Sequence, residues 1–181
     1  MKKIAQFQKV SSEQFYKDWV DSFYNEDKNS HAEDDNSIRE EVMAIYERIK
    51  LPKRATVGSA GYDFFSPLTF TLHPGEMIKI PTGIRVRIDE GWVLKCYPRS
   101  GLGFKYRIQL NNTVGIIDSD YYYSDNEGHI FCKITNDSRE NKSVTIEEGT
   151  AFIQGIFVEY GITVDDETEN VRNGGLGSTS K

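Results

Sequence analysis

The sequence predicts a mainly β protein of the sandwich or barrel type, with a helical pair near the N-terminus and a flexible arm at the C-terminus. Three observations carry this. From Thr69 onward, short alternating runs are punctuated by Gly, Pro and Asp turns, the pattern of many short strands. Across residues 12–50, by contrast, apolar side chains recur at helical spacing. Beyond Ile162, the acidic DDETEN and the Gly- and Ser-rich RNGGLGSTSK offer little apolar surface to bury, so this tail is expected to be mobile until something orders it. The expected organisation is one β domain over residues 1–162, carrying the helical pair at about 12–50, and an arm over 163–181.

Taken in order, residues 4–10 alternate and read as a first strand. From Ser11 the period changes. Phe15, Trp19 and Phe23 recur every four residues and share one helical face, with Ser12 as the expected N-cap. Residues 25–36 carry five acidic side chains, one Lys and almost nothing apolar, which predicts a solvated linker. Ser37 is expected to cap a second helix with Ile38, Val42, Ile45 and Ile49 on one face, Glu40 and Glu41 near its positive end, and Pro52 stopping it. Aromatic helical faces bury in cores or permanent interfaces, so this one is expected to pack on the chain's own β body or on a neighbouring subunit. The alternative is a docking site for a protein partner.

In the second half, His73-Pro74-Gly75-Glu76 reads as a hairpin turn, and residues 84–88 alternate inward and outward. Asp89-Glu90-Gly91 turns the chain before a strand at 92–97. Further strands are expected at 113–117, 131–135, 143–146 and 152–158. The strand at 113–117 ends in an acidic turn that holds Asp118 and Asp120 beside Tyr121. A carboxylate pinned at a strand end suits a general base, and a neighbouring aromatic offers a flat face to a ring. Turn formation alone also explains acidic residues there.

Composition narrows the class. The 181 residues suffice for one workable core, with 38% hydrophobic and 12% aromatic content. No apolar run reaches membrane-spanning length, and Met1-Lys2-Lys3 leads into polar residues, so a cytoplasmic protein without membrane association is expected. A formal charge of -6 argues against broad nucleic-acid binding, although it leaves room for one basic polyphosphate pocket. Cys96 and Cys132 lack metal-ligand or redox spacing and read as buried free thiols. His31, His73 and His129 are scattered and read as surface or turn residues. DSDYYYSDNE lacks the spacing and central Gly of a calcium loop.

Five segments in order carry a more specific signal: AGYDFF at 60–65, PRSGLGFK at 98–105, Asn-x-x-Gly-x-Ile-Asp-x-Asp-Tyr at 112–121, GTAFIQ at 149–154 and RNGGLGST at 172–179. Together they resemble the five motifs of the homotrimeric dUTP pyrophosphatase (dUTPase) family. The resemblance spans residues 51–179 and implies a jelly-roll-like β fold in three subunits around a threefold axis. It implies hydrolysis of dUTP to dUMP and pyrophosphate, which limits uracil incorporation into DNA and supplies dUMP for dTTP synthesis.

The resemblance also assigns roles. Asp118 orients and deprotonates the water that attacks the α-phosphorus. Tyr121 floors the deoxyribose, while Asn112, Gly115, Ile116 and Ile117 form the uracil-reading hairpin. Ser100 and Gly101 meet phosphate oxygens, braced by Arg99. Asp63 is an acidic residue behind the phosphate machinery, paired with Arg99, and Gln154 contacts the phosphate end or its waters. From the arm, Arg172 and Ser178 meet phosphate, Leu176 covers uracil, and Gly174, Gly175 and Gly177 allow close wrapping over a neighbouring subunit's site. Mg²⁺ rides on the triphosphate through oxygens and waters, with no direct protein ligand.

Departures from the family pattern are equally visible. Leu176 stands where an aromatic is usual, Ala151 and Ile153 alter the fourth motif, and residues 122–127 expand the loop after Tyr121. The loop is expected to be a surface extension in which Tyr122 and Tyr123 pack locally. A dCTP deaminase is the same-fold competitor, disfavoured by the tyrosine-bearing hairpin. The competitor from another class is a nucleotide-binding regulatory protein acting through the helical insertion or the expanded loop.

Overall fold

Strand alternation sets the layers. In the computed structural model, which describes residues 1–24, 35–170, 172 and 174, Ile84, Val86 and Ile88 are buried while Arg87 between them is exposed. The order is β1 (Ala5–Lys9), α1 (Ser12–Phe23), α2 (Asp35–Arg48), β2 (Lys53–Arg54), β3 (Tyr62–Phe65), β4 (Phe70–Leu72), β5 (Met77–Pro81) and β6 (Ile84–Ile88). It continues with β7 (Trp92–Pro98), α3 (Ser100–Tyr106), β8 (Ile108–Leu110), β9 (Gly115–Ile117), a 3-10 helix (Ser119–Tyr123), β10 (Phe131–Asn136), β11 (Val144–Ile146) and β12 (Ala151–Glu159). The predicted mainly β class holds.

The described strands pair antiparallel in four sheets. Five run in the order β2-β3-β12-β7-β9, three in the order β5-β10-β8, and β1-β6 and β11-β4 form two-stranded ladders. Phe64, Ile80, Leu94, Ile108, Ile134 and Phe152 come from six different strands and meet in one buried core. The turn at His73-Pro74-Gly75-Glu76 is present, with Glu76 N–H donating to His73 O at 3.0 Å, but it is not a hairpin. β4 pairs with β11 and β5 with β10, so this turn carries the chain between sheets.

The helical pair is confirmed, with shifted starts. Ser11, not Ser12, caps α1: its hydroxyl accepts from Gln14 N–H at 3.1 Å. The competition between two adjacent serines is settled by Glu127, whose carboxylate accepts from Ser11 N–H at 2.7 Å and from its hydroxyl at 2.6 Å. The second helix begins at Asp35, two residues before the predicted Ser37 cap, and residues 25–34 of the predicted linker lie outside the described residues.

Phe15, Trp19, Val42 and Ile45 form a buried cluster, and Ile49 and Leu68 pack against both this cluster and the β core. The aromatic face is therefore spent on the chain's own body. Gly83 marks how close the approach is: it sits at φ +72°, and a Cβ there would lie 2.3 Å from Ile49 Cδ1. Truncating a side chain as fully buried as Phe15 would cost roughly 3–5 kcal/mol.

Candidate active site

The hairpin after β8 opens instead of zipping. Thr113 N–H donates to Leu110 O at 2.8 Å and Thr113 itself takes φ +66°, so the chain reverses tightly and β9 starts only at Gly115. The predicted strand at 113–117 is thus shorter, because its first two residues make the turn. β8 then joins β10 while β9 joins β7, leaving each with one edge free of a partner strand among the described residues. Between them lies a cavity of about 610 Å³.

Asn112, Gly115, Ile116, Ile117, Tyr121 and Arg172 all line this cavity. Lys79, Phe131 and Lys133 line it too, together with the two thiols Cys96, the register partner of Gly115, and Cys132. Both cysteines are buried and free. Burial pushes the Cys96 thiol up to about 12 and raises Cys132 as well, so neither is a thiolate nucleophile near neutral pH.

Tyr121 is held by its hydroxyl, which makes two hydrogen bonds. Its ring is buried, its hydroxyl donates to His129 O at 2.7 Å, and it accepts from Asn126 Nδ2 at 2.9 Å. Burial raises its phenol, with only partial relief from the Asn126 hydrogen bond, so it stays a donor. Asp118 sits at the N-cap of the 3-10 helix, where the end of β9 fixes its backbone. Arg172 Nη2 donates to Asp118 at 2.6 Å and its Nε to Asp120 at 2.9 Å, with the guanidinium 5.7 Å from the Tyr121 ring centre. One cation therefore links the acidic turn to the cavity.

A second cluster lies across the five-stranded sheet. Asp63 on β3, Gln154 on β12 and Tyr97 on β7 are neighbours in register. Asp63 pairs with Arg99 Nε at 3.2 Å, and Gln154 Nε2 donates to Pro98 O at 3.3 Å. Arg99 is the N-cap of α3, so Ser100 and Gly101 occupy its first turn. From β3 to β9 there are three strand steps of about 4.8 Å, on the order of 14 Å. Asp63, Arg99, Ser100, Gly101 and Gln154 are not at the cavity of their own chain. Gly174 is described, whereas Gly175, Leu176, Gly177 and Ser178 lie outside the described residues.

Several participants were not foreseen. Lys79 reaches the cavity from β5, for which no strand was expected, and Phe131 and Lys133 reach it from β10, whose strand was expected without a role at the site. His129, expected at the surface, is fully buried, with Nδ1 2.5 Å from Asp18 Oδ2. Its partner lies 111 positions away, and no local pattern announces such a pair. The loop at 122–127 is only partly a surface extension. Tyr123 is exposed and packs edge-on against Tyr122, but Ser124 is buried and Glu127 holds Ser11, the cap of α1.

Comparison with known proteins agrees with this geometry. Residues 47–180 match the family model described as dUTPase. The deoxyuridine 5'-triphosphate nucleotidohydrolase of Lactococcus lactis is 42% identical over 144 residues, covering 77% of this chain and 95% of that relative. The enzyme of the same name from Dictyoglomus turgidum is 38% identical over 151 residues, covering 78% and 98%. Among solved structures, the dUTPase from Streptococcus mutans superposes with a TM-score of 0.55 at 36% identity, covering 62% of this chain and 88% of that one. A dUTPase variant of phage phi11 of S. aureus, described with a structural Mg(II) ion, gives 0.54 at 26% identity, covering 67% and 90%. With the family model spanning most of the sequence and the cavity built from its third motif, the chain belongs to the dUTPase family.

Proposed function

We propose that the chain hydrolyses dUTP to dUMP and pyrophosphate, with the base and sugar in the cavity between β8 and β9. The observation that carries this reading is the splayed hairpin. Free backbone edges on β8 and β9 face a space that Tyr121 floors, and alternating N–H and C=O groups suit the donor and acceptor edge of uracil. Asn112, Gly115, Ile116 and Ile117 read that edge, excluding a 5-methyl by contact and an exocyclic amine by leaving groups unpaired. Tyr121 excludes a 2′-hydroxyl by packing under the sugar.

Attack of water on the α-phosphorus needs a base in line and charge stabilisation opposite. Asp118 holds the water and takes its proton, a role typically worth about 10²–10⁴-fold. Pyrophosphate leaves toward Ser100 and Gly101. A Cβ at Gly101 would meet nothing in the chain, so the fold itself does not require glycine there, and approach of a phosphate does. Arg99 braces this end, held by Asp63, and Gln154 sits beside them on the neighbouring strand. Arg172 and Ser178 meet phosphate from the arm, and Leu176 and Gly177 close over the base.

Mg²⁺ would be carried by the substrate triphosphate through oxygens and waters, where it would neutralise phosphate charge. Among the described residues no group of three or more His, Cys, Asp or Glu side chains is placed to hold a metal ion.

The separation of the two clusters supports a composite site. A triphosphate held at the cavity of one subunit meets Ser100 and Arg99 of another, which fits a homotrimer; in the single chain Arg172 reaches its own Asp118 and Asp120, and in the trimer residues 163–181 would make the equivalent contact as an arm at a neighbouring site. No described helix is long and apolar enough to cross a membrane, and the proposed setting is the cytoplasm, where dUTP removal limits uracil entry into DNA and supplies dUMP for dTTP synthesis. The test is pyrophosphate release from dUTP, dTTP, dCTP and UTP in Mg²⁺. Activity restricted to dUTP supports the reading, and release from dTTP or UTP at comparable rates would refute it.

A further inference from the structure

The helical pair and the loop at 122–127 are built into one another. Tyr122 hydroxyl donates to Gln8 Oε1 on β1 at 2.7 Å, and the Arg85 guanidinium lies 3.7 Å over the Tyr122 ring while donating to its carbonyl at 2.6 Å. Glu127 at the end of this loop holds the cap of α1. Both departures from the family pattern therefore form one unit directly behind the cavity.

His129 is where that unit meets the site. Its Nε2 accepts from Gly83 N–H at 2.7 Å, so the ring proton resides on Nδ1 and is donated to Asp18 on α1. The same Asp18 oxygen also accepts from Gln14 Nε2 at 2.8 Å, which fixes it on the helix. From His129 two contacts reach cavity residues: its carbonyl accepts the Tyr121 hydroxyl, and its ring packs on Phe131 with centres 4.7 Å apart. Neither Asp18 nor His129 lines the cavity.

We propose that Asp18 and His129 are positioning residues through which the inserted helix holds Tyr121 in place, so that α1 sets the discrimination between deoxyribose and ribose. Removing the Asp18 carboxylate leaves a buried Nδ1–H without its acceptor. The ring then turns to find another, taking its face away from Phe131 and leaving the main chain at His129, whose carbonyl accepts the Tyr121 hydroxyl, without its side-chain anchor. A ring displaced by a fraction of an ångström no longer excludes a hydroxyl by contact, because packing of this kind falls off steeply with distance.

This inference rests on the reading of Tyr121 as the sugar floor, and the experiment separates the two. kcat/KM for dUTP and for UTP is measured on the full chain in Mg²⁺. Asp18→Ala should narrow the dUTP-to-UTP ratio by roughly 10-fold or more. Asp18→Asn keeps an oxygen for both bonds and should restore the ratio. Val42→Ala loosens the helical core but leaves both hydrogen bonds of the Asp18 carboxylate in place, and should lower the melting temperature without narrowing the ratio.

An unchanged ratio in Asp18→Ala, with Tyr121→Ala losing it, would overturn the proposal while leaving the reading of Tyr121 intact. If Tyr121→Ala itself keeps the ratio, that reading fails and the proposal with it. Equal narrowing in Val42→Ala would also overturn it, because loosening alone would then suffice. Should Asp18→Ala fail to fold, Tyr121→Phe decides from the other end of the contact: it removes the hydroxyl alone, and an unchanged ratio would overturn the proposal.

Discussion

Arg172 Nη2 and Asp118 Oδ2 are 2.6 Å apart, and the same guanidinium bonds Asp120. Triphosphate oxygens are the natural competitor for that cation, since they match its forked geometry and carry more charge. Substrate binding is therefore expected to draw Arg172 away from Asp118. Arg172→Ala is expected to lower kcat/KM for dUTP on the order of 10²-fold, the scale of losing one charge-stabilising donor. Steady-state kinetics checks this, and unaltered kcat/KM would remove Arg172 from the site.

Separation of the acidic turn from the Ser100 cluster makes a mixing experiment decisive for composite sites. Asp118→Asn and Ser100→Ala subunits should each be nearly inactive alone. Unfolded and refolded together, they should recover activity at about a quarter of the sites by random assortment in a closed ring. Sites built within one subunit would show no recovery.

Asp63 and Arg99 pair at 3.2 Å, with the Arg99 side chain 43% exposed and that of Asp63 16%. With the guanidinium open to water the pair contributes about 1 kcal/mol, so Asp63→Asn should move the urea midpoint only slightly. Activity should fall far more than stability, with the loss in kcat/KM, because the unbraced Arg99 no longer holds its place at the phosphate. Parallel losses in both would make the pair structural.

The cap of α1 should be acid-labile. Burial raises the Glu127 carboxyl, but the Ser11 hydroxyl and amide, with Arg85, more than offset this and leave it below its ordinary value of 4.5. A carboxylate depressed in the folded state stabilises fully above its unfolded value, and that contribution disappears as pH falls through the folded one. Thermal melts should therefore show a stability loss beginning below about pH 4.5 that Glu127→Gln, already lacking the charge, does not share. Identical pH profiles would refute the assignment.

What was legible in the sequence and what was not divides along sequence distance. Residues 84–88 and 131–135 announced their strands because burial of one face is written in adjacent residues. Phe15 and Trp19 announced a helical face for the same reason. Which strand each would pair with was not local, so the splitting of β8 and β9 into different sheets, which makes the cavity, could not be seen. The choice of Ser11 over Ser12 depended on Glu127, 116 positions away. Residues at the site were named from a family pattern, and that pattern says nothing about Asp18 or His129, which belong to the insertion and its seat.

The central claim is that Asp118 activates water for attack on the α-phosphorus of dUTP. It is tested most directly by single-turnover pyrophosphate release with Asp118→Asn beside the unaltered chain, together with equilibrium binding of dUTP to each. Asparagine keeps the size and hydrogen-bonding oxygen of the side chain while removing its basicity. The account predicts that dUTP binding is retained and the chemical step slows by about 10²–10⁴-fold. Hydrolysis at the unaltered rate would contradict it, because the base would then lie elsewhere.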